Sequence, residues 1–387
     1  MLIDNKSIAI VGGGPGGLTL ARLLQLQGAN VKVYERDINK YARVQGSPLD
    51  LHDESGLAAI RKAGLLDEFK KHFRPGADRT LITNEHAEIF FNDHADKPEE
   101  DFGSEGFRPE IDRGPLRNML LESLQDATVV WDSHFISMEK NGDGWLLHFK
   151  NNTAYADIVI GADGANSKVR QYITDIKAFY SGITMLEANI YDAANKAPNV
   201  FALMNGGKIM AFGKSKSLLM GSKGTSDMGF YVCIRADEKW YANNGLDYNN
   251  NTQLLEWFKT VYREWSSIWH ELFTGAATPI IPRPIYYMPL DQNWQSLPNL
   301  TMLGDAAHVM PPFAGEGVNM AMLDALELSV VLTSGEYNTL QQAIEAYETN
   351  MRTRASVASK ESLVNGDKMV SENALQAMLD VFSSHVA

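Results

Sequence analysis

The stretch Ser7-Ile8-Ala9-Ile10-Val11-Gly12-Gly13-Gly14-Pro15-Gly16-Gly17 passes from a short apolar run directly into glycines. Leu18 to Gln27 then carries apolar residues at helical spacing, with Leu20, Leu23 and Leu24 on one side and Gly28 as a stop. A second apolar run, Val31 to Tyr34, ends at Glu35. Strand, glycine turn, helix and strand make a βαβ unit. Gly12-x-Gly14-x-x-Gly17 has a physical reading at each position: Gly12 permits the tight turn, Gly14 lets backbone approach a pyrophosphate, and Gly17 lets the helix pack close to the sheet. Pro15 and Gly16 belong to the same turn, and the helix start offers free N–H groups to phosphate. Glu35 follows Gly17 at close to the ~20 residues expected of a ribose-binding acid. The pattern predicts dinucleotide binding without separating FAD from NAD. Arg36 fits an NADP phosphate no better than it fits an ordinary exposed position.

The rest of the chain bounds the answer. Its 387 residues suggest about two domains, and 44% hydrophobic with 21% charged residues is the composition of an ordinary soluble globular protein. A net charge of −13, with no basic cluster, argues against a nucleic-acid partner. The one cysteine, Cys233, lies in the apolar run Phe230–Ile234 and reads as a buried strand residue. A lone thiol makes no intrachain disulfide, and no apolar run nears the ~20 residues of a membrane span. The expectation is a cytoplasmic monomer with no heptad seam.

Several segments extend the pattern. Residues 75–103 read as irregular and acidic, Leu116–Leu124 as a helix, and Val129–Trp131 and Trp145–Phe149 as strands around the turn Asn141-Gly142-Asp143-Gly144. Ile158-Val159-Ile160 is a buried strand leading into Gly161-Ala162-Asp163-Gly164. From 177 to 289 short runs dominate: Gly182–Ile190, Val200–Met204, Lys208–Phe212, Ser217–Gly221 and Phe230–Arg235. They predict an antiparallel sheet, hence a second domain inserted into the first. Leu300–Leu303 returns as one buried strand. Residues 318–333 and 339–364 read as helices, the second breaking near Asn365-Gly366.

Two further motifs carry chemistry. Gly304-Asp305-Ala306-Ala307-His308 is followed by Pro311-Pro312-Phe313-Ala314-Gly315-Glu316-Gly317-Val318-Asn319. A buried strand delivers Asp305 to a turn, where its carboxylate can accept from a ribityl hydroxyl. Gly315 and Gly317 open a helix whose N-terminus suits a partly anionic flavin edge or its diphosphate. His308 reads as a histidine fixed by turn hydrogen bonds ahead of a general base. Gly161-Ala162-Asp163-Gly164 reads, alone, as a left-handed turn with an aspartate cap. No Ser/His/Asp or Cys/His arrangement and no metal-ligand spacing stands out.

Taken in order, these motifs resemble the class A, aromatic-hydroxylase flavin-dependent monooxygenases over nearly the whole chain. The most similar branch is the TetX-type tetracycline-inactivating monooxygenases, through Tyr34–Asp37, Ala42-Arg43-Val44-x-Gly46, Leu49–His52, Lys62–Leu66, Ser167–Arg170 and Gly304–Asn319. The resemblance implies an α/β fold: a Rossmann-like FAD-binding domain of the para-hydroxybenzoate hydroxylase type, an inserted antiparallel-sheet substrate domain and a long C-terminal helix. The expected division is 1–74, 104–176 and 290–338 for FAD, 75–103 and 177–289 for substrate, and 339–387 bridging the two. It further implies that Glu35 binds the adenosine ribose, that Arg43 and Asp50 lie near the flavin, and that Arg113 and Arg117 contact FAD. Asp163 and Asp305 join the cofactor residues with Gly304, Val318 and Asn319. Pro312, Phe313 and Gly315 line the flavin ring and the substrate pocket.

This chain also departs from that branch. Glutamine, arginine, histidine and phenylalanine on the relatives' substrate sheet align here with Glu187, Lys208, Gly229 and Met220, and their Gly-Gln-Gly is Gly315-Glu316-Gly317. Lysine for arginine keeps charge but loses the bidentate fork. Substrate contacts are expected from Glu187, Lys208, Met220, Phe313 and Met378. The implied activity is an FAD monooxygenase using NADPH and dioxygen to hydroxylate a small polar ring-containing substrate, tetracycline-like antibiotics included. Chemistry rests on the flavin, not on a protein nucleophile. The competing readings are an FAD reductase or dehydrogenase of the same fold without oxygen transfer, and a non-catalytic flavin- or drug-binding protein.

Overall fold

The computed structural model describes residues 1–42, 48–95, 97–98, 100–104, 106–224 and 226–386. It divides into two compact units. Unit 1 comprises Met1–Phe73, Arg113–Phe179 and Tyr287–Ser362, and unit 2 comprises Arg74–Asp112, Tyr180–Tyr286 and Leu363–Ala387. The segment 339–387 is shared between them, the division falling inside one helix.

Unit 1 is built on the expected βαβ start: β1 (Ser7–Val11), α1 (Pro15–Leu26) and β2 (Asn30–Tyr34). β1 lies centrally, with β2 and then Val129–Val130 on one side and Ile158–Gly161 and then Leu300–Met302 on the other. Every pairing is parallel. Ile8 to Val11 are all buried because both faces of the sheet are covered, as parallel sheets require. On one face pack α1, Arg113–Glu122 and Glu316–Thr333. On the other, Ala9, Val11 and Val159 meet Phe135, Trp145, Leu147 and Phe149 of a three-stranded antiparallel sheet.

That small sheet corrects the sequence reading. The turn at Gly142 joins Gly144–Phe149 to Phe135–Asn141, not to the Val129 strand. Phe135 and Met138 turn inward, while Ile136 is exposed, which blurs the alternation. The helix Leu340–Met369 also runs through Asn365-Gly366 without breaking. One interior glycine costs only about 1 kcal/mol, and a helix of 30 residues absorbs it.

Unit 2 holds a seven-stranded sheet ordered Ile281–Tyr287, Phe179–Ile190, Asp227–Arg235, Lys216–Lys223, Lys208–Gly213, Thr80–Asn84 and Ile89–Asn92. From Phe179–Ile190 to Ile89–Asn92 the pairings are antiparallel as expected, apart from Lys208–Gly213, which pairs in parallel with Thr80–Asn84. Segment 75–103 is therefore not wholly irregular: it contributes a fully buried strand and its neighbour. Val200–Met204, expected as a strand, is helical from Pro198. Proline at the first helical position sets φ, Asn205 closes the helix in the left-handed region, and Val200 and Met204, one turn apart, both face the core. Helices Pro198–Met204, Asn251–Val261 and His270–Thr274 cover one sheet face through Leu186, Ile209, Met220 and Phe230. Ala374–Val386 packs against Lys208–Gly213 and Thr80–Asn84, with Phe382 and Phe91 ring centroids 5.6 Å apart.

The architecture is α/β as expected: a parallel sheet covered on both faces in unit 1, and a largely antiparallel sheet in unit 2. No helix among the described residues is long and apolar enough to cross a membrane.

Candidate active site

In unit 1, β1 ends at Gly12, whose φ of +114° is open to glycine; a Cβ there would lie 2.2 Å from the Ala162 carbonyl oxygen. A Cβ on Gly17 would lie 2.2 Å from Gly12 O, and one on Gly16 2.7 Å from Leu303. These glycines are needed for packing. Gly14 differs: nothing lies within 4 Å of the position its Cβ would take, so the first turn of α1, with Pro15 at its start, faces open space. Glu35, 2% exposed, accepts the Gly13 N–H at 2.7 Å and the Asp37 N–H at 3.0 Å. Arg117 is buried behind this turn, donating to the carbonyls of Gly13 and Lys40 and to Asp37 Oδ2, so it braces the loop. Arg36 is exposed, and Arg43 lies outside the described residues.

At the far strand, Gly304 (φ +59°) precedes the short helix Asp305–His308. His308 is not fixed by turn hydrogen bonds; its Nε2 lies 2.6 Å from Asp324 Oδ2 on the helix Glu316–Thr333. Asp324 also accepts the Gly304 N–H at 2.8 Å and Arg354 at 2.7 Å. Burial alone would lower the His308 pKa, but the Asp324 charge and hydrogen bond outweigh it and the net shift is upward. Asp324 is held below its ordinary value: burial pushes up, while His308, Arg354 and the Gly304 N–H pull down further. Asp305 is open to solvent, yet protein crowding raises its carboxyl, opposed by His308 and Arg113. Arg170 clamps the same turn, donating to Ala306 O and Ala307 O at 3.2 and 2.8 Å; burial pushes its pKa down to about 10.

Asp163 does what its motif, taken alone, predicts, at a turn where Gly164 has φ +81°. Its carboxylate accepts the Ser167 hydroxyl and the N–H groups of Lys168 and Val169, so it caps the turn at Gly164. Burial raises its pKa against those hydrogen bonds.

Asn319, fully buried, donates to Asp50 O at 3.0 Å and Gly315 O at 3.1 Å and accepts the His52 N–H at 2.9 Å. Its amide stitches the Leu49–His52 segment to the start of the Glu316 helix. His52 Nε2 lies 3.1 Å from Asp50 Oδ2 and Nδ1 lies 3.2 Å from Glu316 Oε1. Gly317, like Gly14, has nothing within 4 Å of a would-be Cβ. Val318 is half-buried, Pro312 exposed and Phe313 buried.

In unit 2, Glu187 and Lys208 sit on the sheet face opposite the helices. Glu187 accepts from Arg283 Nε at 2.8 Å and from the Tyr231 hydroxyl at 3.3 Å, and Lys208 pairs with Glu110. Across the strands the register runs Asn189, Gly229, Gly221, Lys208. Met220 is not brought to this face. It is 4% exposed, on the other side of the pleat and inside the helix-packed core, because it is one residue out of phase with Gly221. Met378 is buried in the helix Ala374–Val386. Cys233 is buried and burial pushes its thiol up to about 12, which suits an inert core residue.

Sequence reasoning assigned no role to His52, Arg170 or Asp324, and noted Glu316 only as a departure from Gly-Gln-Gly. Asp324 left a usable signal, a lone carboxylate among Met322, Ala325 and Leu328 on an apolar helix face. No group of described residues could hold a metal ion. The two open glycine positions, each at a helix start, fit a dinucleotide carrying phosphates and an electron-rich ring edge.

Comparisons with known proteins agree. A family model described as FAD binding domain matches residues 5–362. Monooxygenase asqM of Emericella nidulans is 27% identical, covering 97% of this chain and 98% of its own. The 6-hydroxynicotinate 3-monooxygenase of Pseudomonas fluorescens is 27% identical, over 91% of this chain and 89% of its own. The crystal structure of tetracycline destructase Tet(55) shares the fold, with a TM-score of 0.75 at 16% identity, over 100% of this chain and 97% of that one.

Proposed function

Because the chain belongs to the FAD binding domain family and is an FAD-dependent monooxygenase of the aromatic-hydroxylase type, we propose that NADPH and dioxygen are its co-substrates and a small, polar, ring-containing molecule its substrate. Bound FAD supplies the redox and oxygen-transfer chemistry. The chain's own residues bind and orient. The turn Gly12–Gly17 takes the pyrophosphate on the N-terminus of α1, Glu35 the adenosine ribose, and Asp305, beside Arg113, a ribityl hydroxyl. The helix start at Gly315–Val318 takes the ring edge, with Asp50 alongside. Pro312 and Phe313 line the ring's surroundings.

The observation that carries the substrate class is the polar sheet face of unit 2. In the row Asn189, Gly229, Gly221, Lys208 the two glycines place no side chain between Asn189 and Lys208, which pairs with Glu110, while Glu187, held by Tyr231 and Arg283, stands two residues along the strand from Asn189. Such a face suits a flat ring bearing hydroxyl, carbonyl or carboxamide groups. A tetracycline has that pattern, and so does the hydroxypyridine ring in the name of the P. fluorescens relative.

The test is to incubate protein with FAD, NADPH and air, adding tetracycline or 6-hydroxynicotinate separately, and to look by mass spectrometry for product heavier by one oxygen atom. Substrate-stimulated NADPH oxidation with such a product supports the reading. Glu187→Gln is then expected to lower kcat/KM roughly tenfold, the loss of about one charged hydrogen bond. NADPH oxidation unchanged by either compound, with no oxygenated product, would reject this substrate class.

A further inference from the structure

His52 is 1% exposed and stands between two carboxylates from different parts of unit 1. Its Nε2 lies 3.1 Å from Asp50 Oδ2, and its Nδ1 lies 3.2 Å from Glu316 Oε1 in the first turn of the helix Glu316–Thr333. A neutral imidazole has one N–H and one lone pair. The Nε2 contact is a hydrogen bond, whereas Nδ1 stands at ion-pair distance from Glu316 without hydrogen-bond alignment, so a neutral ring leaves the Glu316 carboxylate facing an uncharged nitrogen. Only the imidazolium makes both contacts attractive.

The position matters because of what the helix start is for. A helix N-terminus carries the equivalent of roughly half a positive charge, which attracts an anionic group. Glu316 is an acid placed in that same turn, and it competes for the same potential. Its Oε2 is buried and has no hydrogen-bond partner among the described residues, so the side chain's charge is met from one side only. The Asn319 amide ties the His52 N–H to this helix end, which fixes the imidazole at Glu316.

We propose that His52 is a positioning residue of the cofactor site, an imidazolium that neutralises Glu316 and keeps the N-terminus of the Glu316–Thr333 helix receptive to the negatively charged edge of FAD. The inference rests on the assignment of this helix end to the flavin. With His52 charged, the trio Asp50, His52 and Glu316 carries one net negative charge; without it the trio carries two, at a helix end meant for an anion.

The experiment measures FAD affinity by flavin fluorescence and the flavin midpoint potential in wild type, His52→Gln, Glu316→Gln and the double variant. His52→Gln is expected to weaken FAD roughly tenfold or more and to move the potential negative, since an uncompensated charge beside a charged ligand costs at least that much. Glu316→Gln alone is expected to bind FAD at least as tightly as wild type, with a potential moved positive. The double variant is expected to recover affinity to within about threefold of wild type, because no carboxylate at 316 is left to neutralise. Wild-type affinity in His52→Gln, or no recovery in the double variant, overturns the proposal and leaves His52 a packing residue. If His52→Gln does not fold, Glu316→Gln still decides: weaker binding with a more negative potential overturns it. Failure of wild type itself to bind FAD would reject the cofactor assignment as a whole, a result distinct from any of these.

Discussion

Gly12 and Gly14 are two residues apart, and a methyl group added at each has a different consequence. At Gly12 it meets the Ala162 carbonyl at 2.2 Å on a backbone of φ +114°. Gly12→Ala should destabilise the protein by about 2 kcal/mol or more and lose FAD with it. At Gly14, φ is −80° and the space is open. Gly14→Ala should melt within a degree or two of wild type but bind FAD at least about tenfold more weakly, since the methyl occupies the pyrophosphate's approach. Thermal melting beside a flavin-fluorescence titration separates the two outcomes. His308 and Asp324 make a pH prediction at the same scale. The His308 pKa is raised from 6.5, so its contribution is fully present below about 6.5 and is lost as pH rises through the raised value. The Asp324 pKa is lowered from 3.8, so its contribution is present above about 3.8 and is lost as pH falls through the lowered value. The pair therefore stabilises most between about 4 and 6.5. Urea midpoints of apoprotein should fall from pH 6 to pH 9 in wild type and change less in His308→Asn. An equal fall in both would remove His308 from the account. The glycines were legible in the sequence because their demand is local. The pairs His308–Asp324 and His52–Glu316 were not, because each needs two helices or segments to meet first.

Among elements, the joint between Leu49–His52 and the helix Glu316–Thr333 depends on one side chain. Asn319→Ala would strand the His52 N–H and the carbonyls of Asp50 and Gly315. At about 1–3 kcal/mol for each buried group left unpaired, a loss of at least ~3 kcal/mol is expected. Asn319→Asp keeps the acceptor for His52 but removes both donors, so it should not restore stability. Equal chemical-denaturation midpoints for Asn319→Ala and wild type would refute the stitch. The same scale explains which elements the sequence displayed. β1, α1 and β2 carry long, clean patterns with glycine punctuation. Val200–Met204 is a five-residue apolar run, which fits strand and helix equally until Pro198 and Asn205 are weighed. Thr80–Asn84 is hidden because its partner, Lys208–Gly213, lies far along the chain and pairs in parallel. Met220 and Gly221 show what the strand period decides: neighbours in a strand take opposite faces, so a residue chosen one position away enters the core instead of the polar face.

For the molecule as a whole, the fold class and the flavin chemistry were readable because three glycine-rich motifs recur in one order, and the family match over residues 5–362 covers all of them. The substrate face was readable only in part, since it is assembled from separate strands whose register the sequence does not state. Cofactor binding at this scale should appear as stability. FAD at a hundred times its dissociation constant should add about 2.7 kcal/mol, raising the melting temperature in proportion to the logarithm of FAD concentration. Adenosine diphosphate, which lacks the flavin ring, should reproduce only part of that rise. A melting temperature indifferent to FAD would contradict the site.

The parallel pairing of Thr80–Asn84 with Lys208–Gly213 also sets a timetable for biosynthesis. A ribosome adding roughly 5–20 residues per second delivers the second strand on the order of ten seconds after the first. Throughout that interval a five-residue strand that ends up wholly buried has only its hairpin neighbour Ile89–Asn92 to pair with, and its other edge stays open. The sheet of unit 1 waits longer still for Leu300–Met302. Nascent chains should therefore lean on holdase chaperones, and soluble yield should respond to slower translation or lower growth temperature more than to changes at the mature surface.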